Sequence, residues 1–347
     1  MALKRINAIA IGASTFVLTS MMLTGLVQTA AAAPGNPCAS GETWLQPTTV
    51  ENLPDGGHLD DYWINGALNQ VPVPPPGFKP SVASTELLAR YGFPERPSDV
   101  GAFKLWNEEM SVWHPTQDLG LCETNMKATI LTSPVWAGFD AGWSSNLFIA
   151  VQGDFKQPTR GSTSCSNAQE VSWVGLGGTS STLPLIQAGS GMDAGGGYYA
   201  WYEYLKPGGG INLTKMPSVT VHPGDSMHSY VVHQTSGLGQ TTFYVQDGTT
   251  GTSQSVIVNL DSTYYDGTTA EWIDERPTAS GGSPLPLANF GTVNWTNVQA
   301  QKSTGTWYNL GSLLYNEIDM YAGGVYLAYP QPPSGSNTFT DNWYRCS

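Results

Sequence analysis

Between residues 147 and 151 the chain alternates strictly. Leu147, Ile149 and Val151 fall on one side of an extended segment and Phe148 and Ala150 on the other, which predicts a strand covered on both faces. Runs of similar texture recur at 171–176, 198–205, 229–234, 241–246 and 255–260, with turn residues between them. Asp247-Gly248-Thr249-Thr250-Gly251 has the length and composition of a hairpin loop, so 241–246 and 255–260 are expected to pair. Many short strands at this spacing, without a fixed-period repeat, predict an all-β sandwich or barrel. Before residue 130 the pattern is lost. Residues 33–126 read as irregular, with Pro72, Pro74, Pro75, Pro76 and Pro80 predicting a stiff, extended spacer. One helix is predicted there, over 86–90, capped by Ser84 or Thr85 and stopped by Gly92 and Pro94.

Composition agrees with this picture. The 347 residues include 40 glycines and 24 prolines, which helix interiors reject, and the chain is long enough for a sizeable core. A net charge of −13 repels nucleic-acid phosphates and anionic lipid head groups, so neither is expected as a partner. With only 14 Lys and Arg, few ion pairs are lost when carboxylates protonate, which is compatible with work at low pH.

Lys4 and Arg5, an apolar run over 8–27 and small residues at 29–33 have the order of a secretory signal. The expected layout is a signal peptide over 1–32, a pro-region or N-terminal extension over 33–126, and a β-sandwich over 127–347. The product would be extracellular, monomeric and free of the membrane after signal cleavage. Cys38, Cys122, Cys165 and Cys346 form an even set in such a chain and predict two disulfides, with three connectivities open. Neither a CxxC pair nor an HExxH helix is present, so no metal is expected. Gly189-Ser190-Gly191-Met192-Asp193-Ala194 imitates a dinucleotide fingerprint, but Gly195, Gly196 and Gly197 stand where a helix should begin. A flexible loop and no cofactor are the expectation.

The sequence lacks a GxSxG elbow, the Asp-Thr-Gly or Asp-Ser-Gly of aspartic proteases, and a Walker loop. What remains is a set of aromatic segments carrying single polar residues: Ser172-Trp173-Val174-Gly175, Leu185-Ile186-Gln187-Ala188-Gly189, Ala200-Trp201-Tyr202-Glu203 and Ala270-Glu271-Trp272-Ile273. A half-buried carboxyl or amide in such a setting is either satisfied structurally or used chemically.

Together with Trp136-Ala137-Gly138, these ordered blocks resemble the glutamic peptidases, or eqolisins, over about residues 134–347. The resemblance implies a sandwich of two packed antiparallel sheets, jelly-roll or concanavalin-like, with an irregular extension before it. It implies a secreted acid endopeptidase acting on proteins or peptides. Gln187 and Glu271 take the catalytic positions. Trp136, Trp173, Trp201 and Glu203 are expected around the substrate. Glu271 would activate water as a base and then protonate the leaving amine, while the Gln187 amide would bind the oxyanion, with no metal and no covalent intermediate. Two departures stand out: Gly177 occupies the place of a family aspartate, and Tyr199 the place of an acidic residue. The rival readings are a secreted carbohydrate-binding sandwich, with the tryptophans stacked on sugar rings, and a glycoside hydrolase using Glu203 and Glu271.

Overall fold

All but Leu147, which is exposed, of the alternation at 147–151 lies in the strand Phe148–Lys156, and the other runs fall, to within a residue at their ends, in Glu170–Gly177, Tyr198–Lys206, Ser226–His233, Gln240–Asp247 and Thr252–Asn259. The hairpin at 247–251 closes as expected, with Asp247 opposite Thr252. The computed structural model describes residues 43–346 apart from 65–66, 98–99, 114–120, 124–133, 143–146, 164, 180–182, 208, 211–212, 236–238, 280–282, 314 and 334–336. The expected signal sequence over 1–32 and Cys38 lie outside those residues, as does the side chain of Cys122. Cys165 and Cys346 form a disulfide that ties the start of the sandwich to its end, 181 residues apart.

Two antiparallel sheets pack across one apolar core. One carries the strands Tyr198–Lys206, Leu185–Met192, Glu170–Gly177, Ala270–Glu275, Trp136–Ala141 and Tyr315–Ile318 side by side in that order. The other is built around Thr252–Asn259, Gln240–Asp247, Ser226–His233, Phe148–Lys156 and Thr292–Lys302. The sandwich class inferred from the alternation and the resemblance is the fold observed.

Two local expectations are corrected. Gly189 and Gly191 are not in a loop but inside the strand Leu185–Met192. They are glycines because a Cβ at 189 would lie 2.1 Å from the Ser172 carbonyl oxygen and 2.8 Å from the Trp173 Cβ. The described part of the stretch before residue 126 is not irregular either. His58–Ile64 and Ala67–Val73 form a hairpin that joins the second sheet through Ile257 opposite Gln70, and Pro72 is a strand residue rather than part of a spacer. The pattern misleads because these strands sit at a sheet margin: Trp63 is 61% exposed while Asp60, three residues earlier in the same strand, is buried. Thr43–Leu45 and Leu121–Glu123 likewise extend the first sheet. The expected helix is present as Thr85–Arg90, with the Ser84 hydroxyl accepting from the Leu87 amide at 3.3 Å. A second helix, Val100–Val112, was not expected. Tyr91, Phe93, Trp106 and Trp113 pack on the outer face of the second sheet against Tyr230 and Tyr244. Buried Asn69 links this extension to the first sheet, accepting from the Tyr202 hydroxyl at 3.0 Å and donating to the Tyr204 hydroxyl at 3.2 Å.

Between the sheets lies a group of three buried acids, Glu170, Asp274 and Asp341. The Ser172 hydroxyl is within hydrogen-bonding reach of both Glu170 and Asp274, and the Trp295 indole donates to Asp274 at 3.0 Å. One hydroxyl hydrogen, one indole hydrogen and the Asn342 backbone N–H, which donates to Asp341 at 2.9 Å, leave three adjacent carboxyl groups short of donors, so the group retains protons of its own. Burial raises the pKa of all three; Asp274 pushes Glu170 and Asp341 further, while Ser172 pulls Glu170 back. Folded-state pKa values above the unfolded ones give stability that is complete in acid and lost as pH rises through the folded values. Each such group costs about 1.4 kcal/mol per pH unit over which only the unfolded chain ionises. The melting temperature should therefore fall from pH 4 to pH 8. Asp341→Asn, which keeps the shape and removes one titrating proton, should flatten that fall. Calorimetry at stepped pH checks both, and an equally steep fall in the variant would count against this account.

Candidate active site

On the face of the first sheet turned away from the core, strand register alone assembles a line of polar side chains. Glu203 lies opposite Gln187, Gln187 opposite Gly175, Gly175 opposite Glu271, Glu271 opposite Asp140, and Asp140 opposite Asn316. Residues directly opposite in antiparallel strands point to the same side, so all six positions share one face. Gly175 leaves the middle of the line bare. A Cβ there would come within 2.8 Å of the Trp173 ring.

Alternation places the aromatic residues on this same face. Trp201, Gly189, Trp173, Ile273 and Gly138 form the next row, followed by Tyr199, Gly191, Val171, Glu275 and Trp136. Trp136 and Trp173 meet edge to face at 5.1 Å. With Val135, Leu185, Tyr199, Trp201, Leu213 and Ile273 they form a separate apolar cluster. The structure thus brings all six expected site residues to one face. The three tryptophans are buried there, their rings packed against this cluster.

Hydrogen bonding distinguishes the two halves of the line. The Gln187 amide nitrogen donates to Glu203 at 2.7 Å, which fixes the amide and leaves its second N–H directed elsewhere. Glu271 is fully buried, and neither of its carboxyl oxygens has a hydrogen-bond partner among the described residues. A carboxylate so placed is costly, and burial drives its pKa well above the ordinary range. The nearby Thr269 hydroxyl moderates the rise, and the charges of Asp140 and Asp266 add to it. Burial and then the Glu275 charge raise Glu203, against the Gln187 hydrogen bond. Burial pushes Glu275 up to about 8, although the Trp173 indole donates to it at 2.8 Å and Trp136 also lowers it. A cavity of about 30 Å³ beside Gln187, Trp201, Glu203 and Glu275 has room for about one or two water molecules.

Two acids of this face, Asp140 and Glu275, were not singled out from the sequence. Glu275 was within reach, because 271, 273 and 275 share a face by strand alternation. Asp140 was not, because its neighbour across the sheet lies 131 positions away in the chain and only the register reveals it. The geometry also weighs against a pair of Glu203 and Glu271 as glycosidase acids. Their strands are three spacings apart, about 14 Å, whereas such acids stand about 5 to 10 Å apart.

Comparison with known proteins now adds to the geometry. Residues 134–338 match the model of the Peptidase A4 family. No curated protein matches the sequence significantly. Among solved structures, scytalido-glutamic peptidase with a transition-state analogue inhibitor superposes with a TM-score of 0.51 at 22% identity, covering 60% of this chain and 98% of that one. The same peptidase with a peptide-based transition-state analogue gives 0.50 at 24% identity, with the same coverage. Aspergilloglutamic peptidase from Aspergillus niger gives 0.43 at 24% identity over 51% of this chain and 99% of that one. The two superpositions on scytalido-glutamic peptidase speak, at this identity, for the fold. The family match, which spans more than half of the sequence, speaks for the activity: the chain belongs to the Peptidase A4 family and is a glutamic endopeptidase.

Proposed function

We propose that this endopeptidase is secreted and works in acid through Gln187 and Glu271, with water as the nucleophile. The observation that carries the reading is the line of register itself. Gln187 and Glu271 flank a bare glycine, Gly175, with their strands two spacings or about 10 Å apart, which leaves room for a peptide carbonyl and a water between the side chains. Ionised Glu271 takes a proton from the water. The free N–H of Gln187, its other N–H held by Glu203, donates to the developing oxyanion. Glu271, now protonated, gives the proton to the departing amine. Trp136, Trp173 and Trp201 wall the substrate side of the sheet. Glu203 acts through Gln187 by orienting its amide.

The acids of this face give a direction to the pH dependence. Glu271 must ionise to act as a base, and burial delays that ionisation, so activity should rise through the acid range rather than peak in strong acid. Glu275, which burial pushes up to about 8, loses its proton only near that pH and then places further charge on the face, so activity should fall again there. A bell-shaped profile is expected.

Secretion is supported by the signal-like order of residues 1–32 and by the Cys165–Cys346 bridge, which suits an oxidising compartment. Residues 33–126 are proposed to stay attached as an extension, because their described strands extend both sheets and Asn69 reaches Tyr202 and Tyr204. Intact mass of the active secreted enzyme tests this: a fully active species that begins near residue 127 would refute it.

Glu271→Gln should abolish cleavage of casein at acidic pH with the circular dichroism spectrum unchanged. Gln187→Ala should lower kcat at least about 100-fold, the scale of one lost oxyanion donor. Turnover near wild type in folded Glu271→Gln would overturn the assignment. Gly175→Val, which fills the middle of the line and presses on Trp173, should raise KM or remove activity while both polar residues remain. An unchanged KM and kcat would mean that substrate does not pass over Gly175.

A further inference from the structure

The line of polar residues does not end at Glu271. One strand further, Asp140 lies directly opposite it, on the same face and only 7% exposed. Directly opposite residues in an antiparallel pair have Cβ atoms about 5 Å apart, so the two carboxyl groups are immediate neighbours. The Asp140 carboxyl is also held in place: the side-chain amide of Asn316, on the edge strand Tyr315–Ile318, donates to its Oδ1 at 2.8 Å. Glu271 offers the complementary feature, a fully buried carboxyl whose two oxygens lack a hydrogen-bond partner among the described residues.

We propose that Asp140, anchored by Asn316, is a positioning residue of this active site that shares a single proton with Glu271 and thereby sets the pH at which Glu271 becomes a base. Two adjacent carboxyl groups with little water between them do not both ionise readily, so the pair passes through a state that holds one proton. Burial raises the Asp140 pKa, but the Asn316 donors offset part of that rise by stabilising the ionised form, so Asp140 has the better claim to the negative charge. Among the described residues Glu271 has only the Thr269 hydroxyl near it, outside hydrogen-bonding distance, and is the more deeply buried of the two, so it keeps the proton. Glu271 becomes a base only when the last proton of the pair leaves to solvent, against the charge already on Asp140. In the reaction it regains a proton from the attacking water and passes it to the amine, so Asp140 stays ionised throughout and the proton count closes.

Other charged groups face Glu271 from the packed elements. Asp266 lies in the loop before the Glu271 strand, Glu275 on the same strand, and Glu203 three strands away. Of these, Asp140 and Asp266 raise the Glu271 pKa through their charge. Asp266 differs from Asp140 in being bound by its own loop, through the backbone N–H and hydroxyl of Thr268, and in lying outside the line of register. The position of Asp140 also bears on the departure at Gly177. A Cβ at 177 would lie 2.3 Å from the Pro184 carbonyl oxygen, so this backbone has no room for an acid there, and the charge beside Glu271 comes from the opposite neighbouring strand.

The inference rests on Glu271 being the base, and its test separates the two claims. In Asp140→Asn, which keeps the side-chain shape, the acid limb of kcat/KM should move down by about one pH unit, the size of coupling between such groups. Glu317→Gln, which removes one charge from the edge strand at a position facing the other way, should leave the limb in place. A limb that stays put in Asp140→Asn at full activity overturns the inference, and so does a folded Asp140→Asn that is inactive at every pH. Should Asp140→Asn not fold, carbon-13 carboxyl titration of the wild type and of Glu271→Gln decides. Asp140 should titrate in two steps in the first and in one step in the second, and a single step in both overturns the inference. Failure of the underlying reading would show itself differently, as activity retained by Glu271→Gln.

Discussion

A single constraint governs both sides of the first sheet: carboxyl groups are buried with scarcely any positive charge to meet them. The strand Ala270–Glu275 shows it most directly. Glu271 and Glu275 point to the face turned away from the core and Asp274 points to the core; Glu271 and Asp274 are buried and Glu275 is half-buried. A carboxylate in such a place is expensive unless donors surround it, and this chain has too few Lys and Arg to supply them. The alternative is to keep the groups protonated. The core group of Glu170, Asp274 and Asp341 and the line through Glu271 then depend on retained protons, which acid conditions preserve.

The geometry of the site follows from flat pairing and small residues rather than from loops. Gln187, Glu203 and Glu271 come from three different strands, and their spacing is set by the distance between strands. Such positions hardly adjust, because each strand is hydrogen-bonded on both sides and packed on both faces. Gly175 keeps the centre of the line open, and Gly189 makes room for Trp173 to lie under it. The aromatic cluster then does for the polar line what solvent would otherwise undo: it holds the rings against one another and keeps the surroundings of the acids apolar.

The N-terminal extension is part of the same mechanical unit in its described portion. It adds strands at the margins of both sheets and covers the outer face of the second with aromatic side chains. Edge strands exposed to solvent invite pairing with other chains, and the extension occupies one edge of each sheet. Through Asn69 it also reaches Tyr202 and Tyr204, the residues on either side of Glu203.

Much of this was legible in the sequence, for local reasons. Period-2 alternation between residues 147 and 260 exposed the strands, the Asp247–Gly251 segment exposed a hairpin, and Ser84 exposed a helix start, since each of these signals is written within a few consecutive residues. The ordered blocks around Trp136, Trp173, Gln187, Trp201 and Glu271 carried the family likeness and with it the sandwich. What lay outside reach has a common cause. The extension looked irregular because strands with one wet face or one free edge need no clean alternation, and Gly189 and Gly191 looked like a loop because nothing near them in sequence shows the Ser172 carbonyl and Trp173 that leave no space for a side chain. Sequence thus determined which residues are strand-forming, which face each points to within its own strand, and which few polar groups sit among apolar neighbours. Only the tertiary structure decided which strands lie side by side, and so that Asp140 stands beside Glu271 and that Gly175 separates Glu271 from Gln187, because register between strands distant in the chain is fixed by packing across the whole sheet.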